Sequence, residues 1–228
     1  MMAPLMLVLS LAAPPAGEYY SGDGLGKNWT VRVTGGGRFD FEWHGCLGLY
    51  DSNKGSFVVD GPWVTLNPEK PRANGFGRQL PLKWLYLGWG DRHYLIADDE
   101  LGDFIRAIND QSEPRTRIHG RFLLRMGEWE LPAVGVPPLP PEWTALLRPR
   151  PISAEVVSVD GSGTATLDAG TSAGLAVGLP LTVMSPKKGR AARVAWGTVV
   201  DATPSSARLR ITMGDRVKPG DVASTNPY

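Results

Sequence analysis

Between Arg38 and Leu66 the apolar and polar positions follow a period of two. Phe39, Phe41 and Trp43 alternate with Asp40, Glu42 and His44, which puts the aromatic side chains on one face of a strand and the polar groups on the other. The cluster Asp51, Ser52, Asn53, Lys54, Gly55 predicts a turn, after which Phe57 to Val59 and Trp63 to Leu66 return to strand composition. A strand from Trp29 to Val33 precedes this stretch, ended by Gly35, Gly36 and Gly37. A hairpin follows it, with Trp84 to Gly90 and His93 to Ile96 folded around Gly90 and Asp91. The period then changes. Over Asp98 to Asp110, Leu101, Phe104, Ile105 and Ile108 recur at i, i+3, i+4 and i+7, behind Asp98 or Asp99 as cap. This predicts a helix whose apolar stripe closes one side of the sheet, and Arg121 to Met126 supplies a further strand.

Seven prolines lie between Pro132 and Pro151, and proline lacks the N–H that a sheet interior requires. Residues 132–151 are therefore read as a semi-rigid linker, with one helical turn from Glu142 to Leu147 anchored by Trp143, Leu146 and Leu147. From Ile152 onward Ala, Val, Thr and Ser dominate. Short strands are predicted at Ala154–Val159, Gly163–Asp168, Leu181–Ser185, Val194–Ala202 and Ala207–Thr212, with turns at Asp160-Gly161 and at Thr203 to Ser205. The fold class is mostly β. Residues 17–131 form an antiparallel meander or barrel with a covering helix at 98–110, and residues 152–228 form a small β-barrel.

Composition changes this picture in three places. Met1 to Ala13 is apolar and uncharged, and is followed by Pro14, Pro15, Ala16 and Gly17. The apolar core is short for a bilayer span, so residues 1–16 read as a signal peptide and the protein is expected to be periplasmic or secreted, with no transmembrane segment after signal removal. The net charge of +1 implies no nucleic-acid partner. The single cysteine, Cys46, excludes an intramolecular disulfide, so burial alone must hold the fold.

Candidate chemistry is sparse, and no cofactor signature is present. Glu42, His44 and Cys46 fall at i, i+2 and i+4, a row along one strand face with neighbours about 7 Å apart. Those ligand types suit a soft metal only if His93 or His119 completes the set. Cys46 has no adjacent cation to activate it as a nucleophile, and no Gly-x-Ser-x-Gly elbow occurs. Asp51 to Gly55 starts like a calcium loop, but Gly55 and Pro62 stand where oxygen ligands are needed. Asp23 among Gly22, Gly24 and Gly26 is followed by no Lys-Ser/Thr pair, so it reads as a turn and not a phosphate loop. Seven of the eight tryptophans lie between Trp29 and Trp143. Trp43, Trp84, Trp89 and Trp129 are the candidates for lining a ligand pocket. Lys187, Lys188, Arg190 and Arg193 form a basic cluster in a predicted loop.

In the second domain the order TLDAGTSAGLAVGLPLTVM, WGTVVDATPSSARLRI, GDRVKPGDV resembles the small β-barrel that ends the flagellar assembly protein T group. Gly174 to Gly178 match its glycine turn, Gly197 its strand glycine and Gly214-Asp215 its closing pair. Leu179-Pro180 departs from it, standing where that group carries a Gly-Asp type pair. In the first domain YYSGDGLGKNWTVRV, GRFDFEWHGCLGLYDSNKG and VVDGPWVTLNP resemble the meanders of uncharacterised secreted bacterial proteins and, more loosely, lipocalin-like barrels. These resemblances imply folds and carry no catalytic residues. The expectation is an exported, non-catalytic interaction or scaffold protein with an envelope protein as partner. The alternative is a lipocalin-like binder of a small apolar ligand, and a metal-dependent or hydrolytic enzyme ranks third.

Overall fold

The period-two stretch becomes the wall of a closed eight-stranded barrel. A computed structural model of the chain describes residues 14–24, 26–70, 80–111, 114, 122–186 and 192–226. Residues 1–13, most of the stretch read above as a signal peptide, His119 and the basic residues Lys187 to Arg190 lie outside the described residues. The chain divides into two units, residues 1–98 with 115–138 and residues 99–114 with 139–228.

In the first unit β1 (Gly17–Gly22), β2 (Lys27–Thr34), β3 (Arg38–Gly45), β4 (Gly48–Asp60), β5 (Trp63–Pro68), β6 (Lys83–Trp89), β7 (Arg92–Ala97) and β8 (Phe122–Arg125) pair in chain order, and β8 returns to β1. Every pair is antiparallel, and the closing one joins Tyr19 to Arg125 and Tyr20 to Leu124. Closure leaves no unpaired edge in this sheet. The alternation behaves as the sequence requires: Trp29, Val31 and Val33 on β2 and Phe39, Phe41 and Trp43 on β3 are buried, while Arg32, Asp40 and Glu42 between them are exposed. With Tyr19, Val64, Leu66, Trp84, Leu95, Ala97 and Leu123 they form one packed core.

The turn expected at Asp51 to Gly55 is not there. β4 runs straight through it, pairing Trp43 with Asp51, Phe41 with Asn53 and Phe39 with Gly55, and the chain reverses earlier, at Cys46 and Leu47. Two things explain the shift. Gly48 takes φ +110, a conformation that glycine adopts without penalty, and polar side chains on β4 are tolerated because they face the solvated wall. Gly55 marks the place where β4 leaves β3 for β5. A Cβ there would stand 2.1 Å from the Asn67 carbonyl oxygen, so the strands approach closely enough to exclude any side chain. Across the wall, Glu18, Arg32, Asp40, Lys54 and Glu69 form a lateral row of alternating charge, with Arg32–Glu18 at 3.0 Å, Lys54–Glu69 at 4.0 Å and Arg38 also on Glu69. Such cross-strand pairs suit a solvated sheet face.

The helix departs from its expected place. The α-helix α1 covers Leu101–Asn109 after a 3₁₀ turn at Asp98–Glu100, and its cap position is Glu100, whose side chain makes no capping bond. The turn consumes the residues that the sequence pattern offered as caps. Although α1 lies in the chain between β7 and β8, it belongs to the second unit. There it packs against β11 (Pro180–Ser185), and Asn109 Nδ2 donates to the Leu146 carbonyl while its Oδ1 accepts from Arg148 N. Leu101, Phe104 and Ile105 are fully buried, and Asn109 rather than Ile108 completes the buried face.

The proline-rich stretch is divided between the units at residues 138 and 139. In the first unit its start lies over the outer side of the β6–β7 hairpin, where the Trp89 indole donates to the Gly135 carbonyl at 3.0 Å. In the second, Pro141–Thr144 makes the short helix α2 with proline at its start. The remaining strands β9 (Ser153–Val159), β10 (Thr164–Leu167), β11, β12 (Ala192–Ala202), β13 (Ala207–Met213) and β14 (Val222–Ser224) close a six-stranded antiparallel barrel in the order β10-β13-β12-β11-β14-β9. Asp160 anchors its first hairpin by accepting from the Ser162 hydroxyl, Ser162 N and Thr164 N. Those bonds, with Arg208 beside them, hold its pKa down at about 2.

Candidate functional site

The row proposed for a metal is split by the reversal of the chain. β3 ends at Gly45, so Glu42 and His44 remain on the strand while Cys46 sits in the turn. Glu42 Oε2 and His44 Nε2 lie 3.1 Å apart at the surface. Cys46 is exposed and free, and its sulfur faces Gly26. His93 is engaged elsewhere. Among the described residues, no group of three or more His, Cys, Asp or Glu side chains is arranged to hold a metal.

The four candidate tryptophans do not share a wall. Trp43 and Trp84 are 8% and 1% exposed and belong to the core of the first barrel. Trp43 stacks on Trp29 at 5.8 Å, Trp29 packs on Phe41 at 5.4 Å, and the Trp84 indole donates to the Pro81 carbonyl at 2.8 Å. The Trp43 and Trp84 rings thus belong to the packed core of the first barrel. Trp89 and the main chain of Trp129 lie by a fully buried arginine instead: Arg92 donates to the Tyr94 hydroxyl and the Trp129 carbonyl, Trp89 packs near Tyr94 at 6.5 Å, and the Trp129 ring lies against Tyr20 at 6.4 Å.

Sequence reasoning missed a polar cluster that joins β1, β6, β7 and β8. Glu128, 8% exposed, accepts from His93 N at 2.7 Å, pairs with His93 Nδ1 at 2.9 Å and accepts from Arg125 Nη1 at 3.2 Å. The His93 ring stacks parallel to Tyr86 at 6.2 Å. Burial, and then the neighbouring Tyr86, push the Tyr19 hydroxyl well above its ordinary pKa, and burial followed by Glu128 raises that of Tyr86. With the carboxylate as acceptor, His93 Nδ1 carries the proton and the ring is fixed in orientation. Its chemical effect is to pin the β6–β7 hairpin to the chain that follows β8. The local Arg125–Glu128 spacing was readable, but His93 and Glu128, 35 positions apart, left no signal in the sequence.

The surface feature that stands out is the β3–β4 tip. Leu47 is 90% exposed, Leu49 54% and Tyr50 40%. The tip is nonetheless held in place: the Tyr50 ring lies edge-on to Trp43 at 5.2 Å, its hydroxyl accepts from Leu47 N at 3.3 Å, and a Cβ at Gly45 would strike that ring. A second feature, a shallow depression of about 300 Å³ on the outer wall, is lined chiefly by Arg32, Asp40, Glu42, Ser52, Asn53 and Lys54. Its charges are largely taken up in the cross-strand row.

Compared with protein-family models and with curated proteins, the sequence matches none.

Proposed function

We propose that the protein is an exported, non-catalytic interaction protein of the cell envelope, whose first barrel presents the β3–β4 tip to an apolar pocket on a partner protein. The observation that carries this reading is the filled barrel. Trp29, Phe41, Trp43 and Trp84 occupy the space in which a carrier would hold a ligand, while Leu47 and Leu49 stand in solvent on a braced turn. A fixed apolar knob loses little conformational entropy on binding. Export is supported by the uncharged apolar lead from Met1 to Ala13 and the small residues behind it.

Within this reading the first barrel is lipocalin-like in its up-and-down strand order, with an aromatic core packed where a carrier has its cavity. The second is akin to the terminal barrel of the flagellar assembly protein T group, a likeness supported by left-handed glycines at Gly174, Gly178 and Gly214. Binding of a small apolar ligand is the weaker reading, since it needs the volume that the aromatic core takes up.

The test is photo-cross-linking in the native cell from a reactive side chain placed at position 47, paired with native mass spectrometry of the protein from its envelope fraction. A discrete protein adduct, lost when Leu49 is changed to Asp, is the expected result. Absence of any adduct, or a stoichiometric small molecule retained by the purified protein, would overturn the reading.

A further inference from the structure

Charged side chains of α1 gather over one ring of β12 in the second unit, and the tip has no part in this cluster. Asp103, Arg106, Trp196 and Met213 stand around one groove there. Arg106 is paired with Asp103, three residues before it. Its guanidinium carbon also lies 4.6 Å from the centre of the half-buried Trp196 ring, and that of the exposed Arg193 lies at the same distance. One indole thus carries two cations, and the cations repel each other.

Asp110 faces both of them. It follows the last residue of α1 yet keeps helical backbone angles, φ −71 and ψ −3, and its N–H donates to the Arg106 carbonyl at 2.8 Å. Positions 106 and 110 are therefore neighbours on one helix face, as 103 and 106 are. Two buried atoms of this pair meet no partner among the described residues: Arg106 Nε, a donor, and Asp110 Oδ1, an acceptor. Each costs free energy while unpaired, and side chains at i and i+4 reach each other.

Burial outweighs the two arginines and raises the Asp110 carboxyl from the ordinary 3.8 to about 6, so its charge changes in mildly acid solution. Arg106 on its own helix and Arg193 on β12 are the charges that act on it. The strand on which α1 packs, β11, reads PLTVMS and carries no charge. On the segment that bonds Asn109, the Arg148 guanidinium is held by the carbonyls of Gly174, Ala145 and Leu147.

We propose that Asp110 and Arg106 form a proton-operated latch over Trp196. Protonated Asp110 leaves the Arg106 guanidinium on Asp103 and on the indole. Ionised Asp110 competes with Asp103 for that guanidinium, draws it one turn along the helix, pairs the orphaned Nε with Oδ1 and uncovers one face of Trp196. Met213, the direct partner of Trp196 across β12 and β13, is already 60% exposed, so the second unit shows a larger apolar patch at neutral pH than in acid.

The test follows the indole N–H signal of Trp196 by NMR on the full chain from about pH 4 to about pH 8, with and without a soluble paramagnetic agent, the signal being assigned by its loss in Trp196→Phe. The signal is expected to shift with one midpoint between 3.8 and about 6, and its broadening by the agent to increase over the same range. Asp110→Asn is expected to hold both at their acid values, and Asp103→Asn to lower the midpoint, because the guanidinium then has one claimant fewer. Arg106→Met is expected to abolish the change in broadening with the melting transition retained. The proposal is overturned if broadening is constant across the range, if its change survives Asp110→Asn, or if Arg106→Met leaves it as in the parent, since the charge of Asp110 then acts without moving Arg106.

Discussion

Glu128 takes three donors from two segments of the chain, two from His93 and one from Arg125, and it shows what a single buried carboxylate contributes. Hydrogen bonds to charged groups contribute about 1.5–3 kcal/mol each at most, and a donor left unpaired by substitution adds its desolvation cost. Glu128→Ala is therefore expected to lower the unfolding free energy by about 2–3 kcal/mol in a denaturant titration, and Glu128→Gln by less, since the amide oxygen still accepts one of the bonds. Asp110 makes a pH-dependent contribution in the other unit. Burial raises its pKa to about 6, against the downward pull of Arg106 and Arg193. A carboxyl whose folded pKa exceeds its unfolded value of 3.8 favours the folded state while protonated, so stability falls as pH rises from about 4 through about 6. The group is partly exposed, and solvent screening reduces the effect to about 1 kcal/mol. Melting curves between those pH values should show that loss in the parent protein and a flatter profile in Asp110→Asn. The glycines at the tip and at the bend of β4 belong to the same scale. Gly55→Ala should destabilise the first unit because its Cβ would enter the Asn67 carbonyl, whereas Leu47→Asp should leave the unfolding midpoint within about 0.5 kcal/mol and still abolish the proposed partner contact.

Helix α1 shows how an element can be legible while its place is not. Its 3.6-residue period, carried by Leu101, Phe104 and Ile105, predicts an amphipathic helix, and those three side chains are fully buried. The pattern says only that the stripe must be covered, and several apolar faces qualify. The covering comes from β11 and the segment around Leu146, which lie far along the chain. Phe104→Ala is thus expected to cost about 3–5 kcal/mol in the unfolding of the second unit. Hydrogen exchange should locate the loss in β11 and α1, and protection of β2 and β3 should stay as in the parent. β4 carries the converse lesson. Asp51 to Gly55 has turn composition and lies within a strand, because pairing with β3 and a solvated outer face outweigh local preference.

At the scale of the whole molecule, the division of the chain follows from α1. A fragment of residues 139–228 holds every strand of the second barrel but lacks the helix that belongs to its unit. It is expected to melt well below the full chain by circular dichroism, and a peptide covering residues 98–111, added in trans, should recover part of the difference. A fragment that melts as high as the full chain's second transition would refute this. The sequence by itself determined the strand-rich class, the aromatic inner face of β2 and β3, the hairpin at Gly90-Asp91, the helix and the change of composition at Ile152, because each rests on periodicity or turn chemistry among near neighbours. Only the tertiary structure decided that the meander closes through β8 on β1, that Trp43 and Trp84 join one core while the Trp129 carbonyl meets Arg92 and its ring meets Tyr20, that the chain turns at Cys46, and that Asp103, Arg106 and Trp196 line one groove. Each of these depends on partners that lie far apart in the chain, selected by how surfaces fill space and satisfy buried polar groups, and local pattern carries no record of that choice.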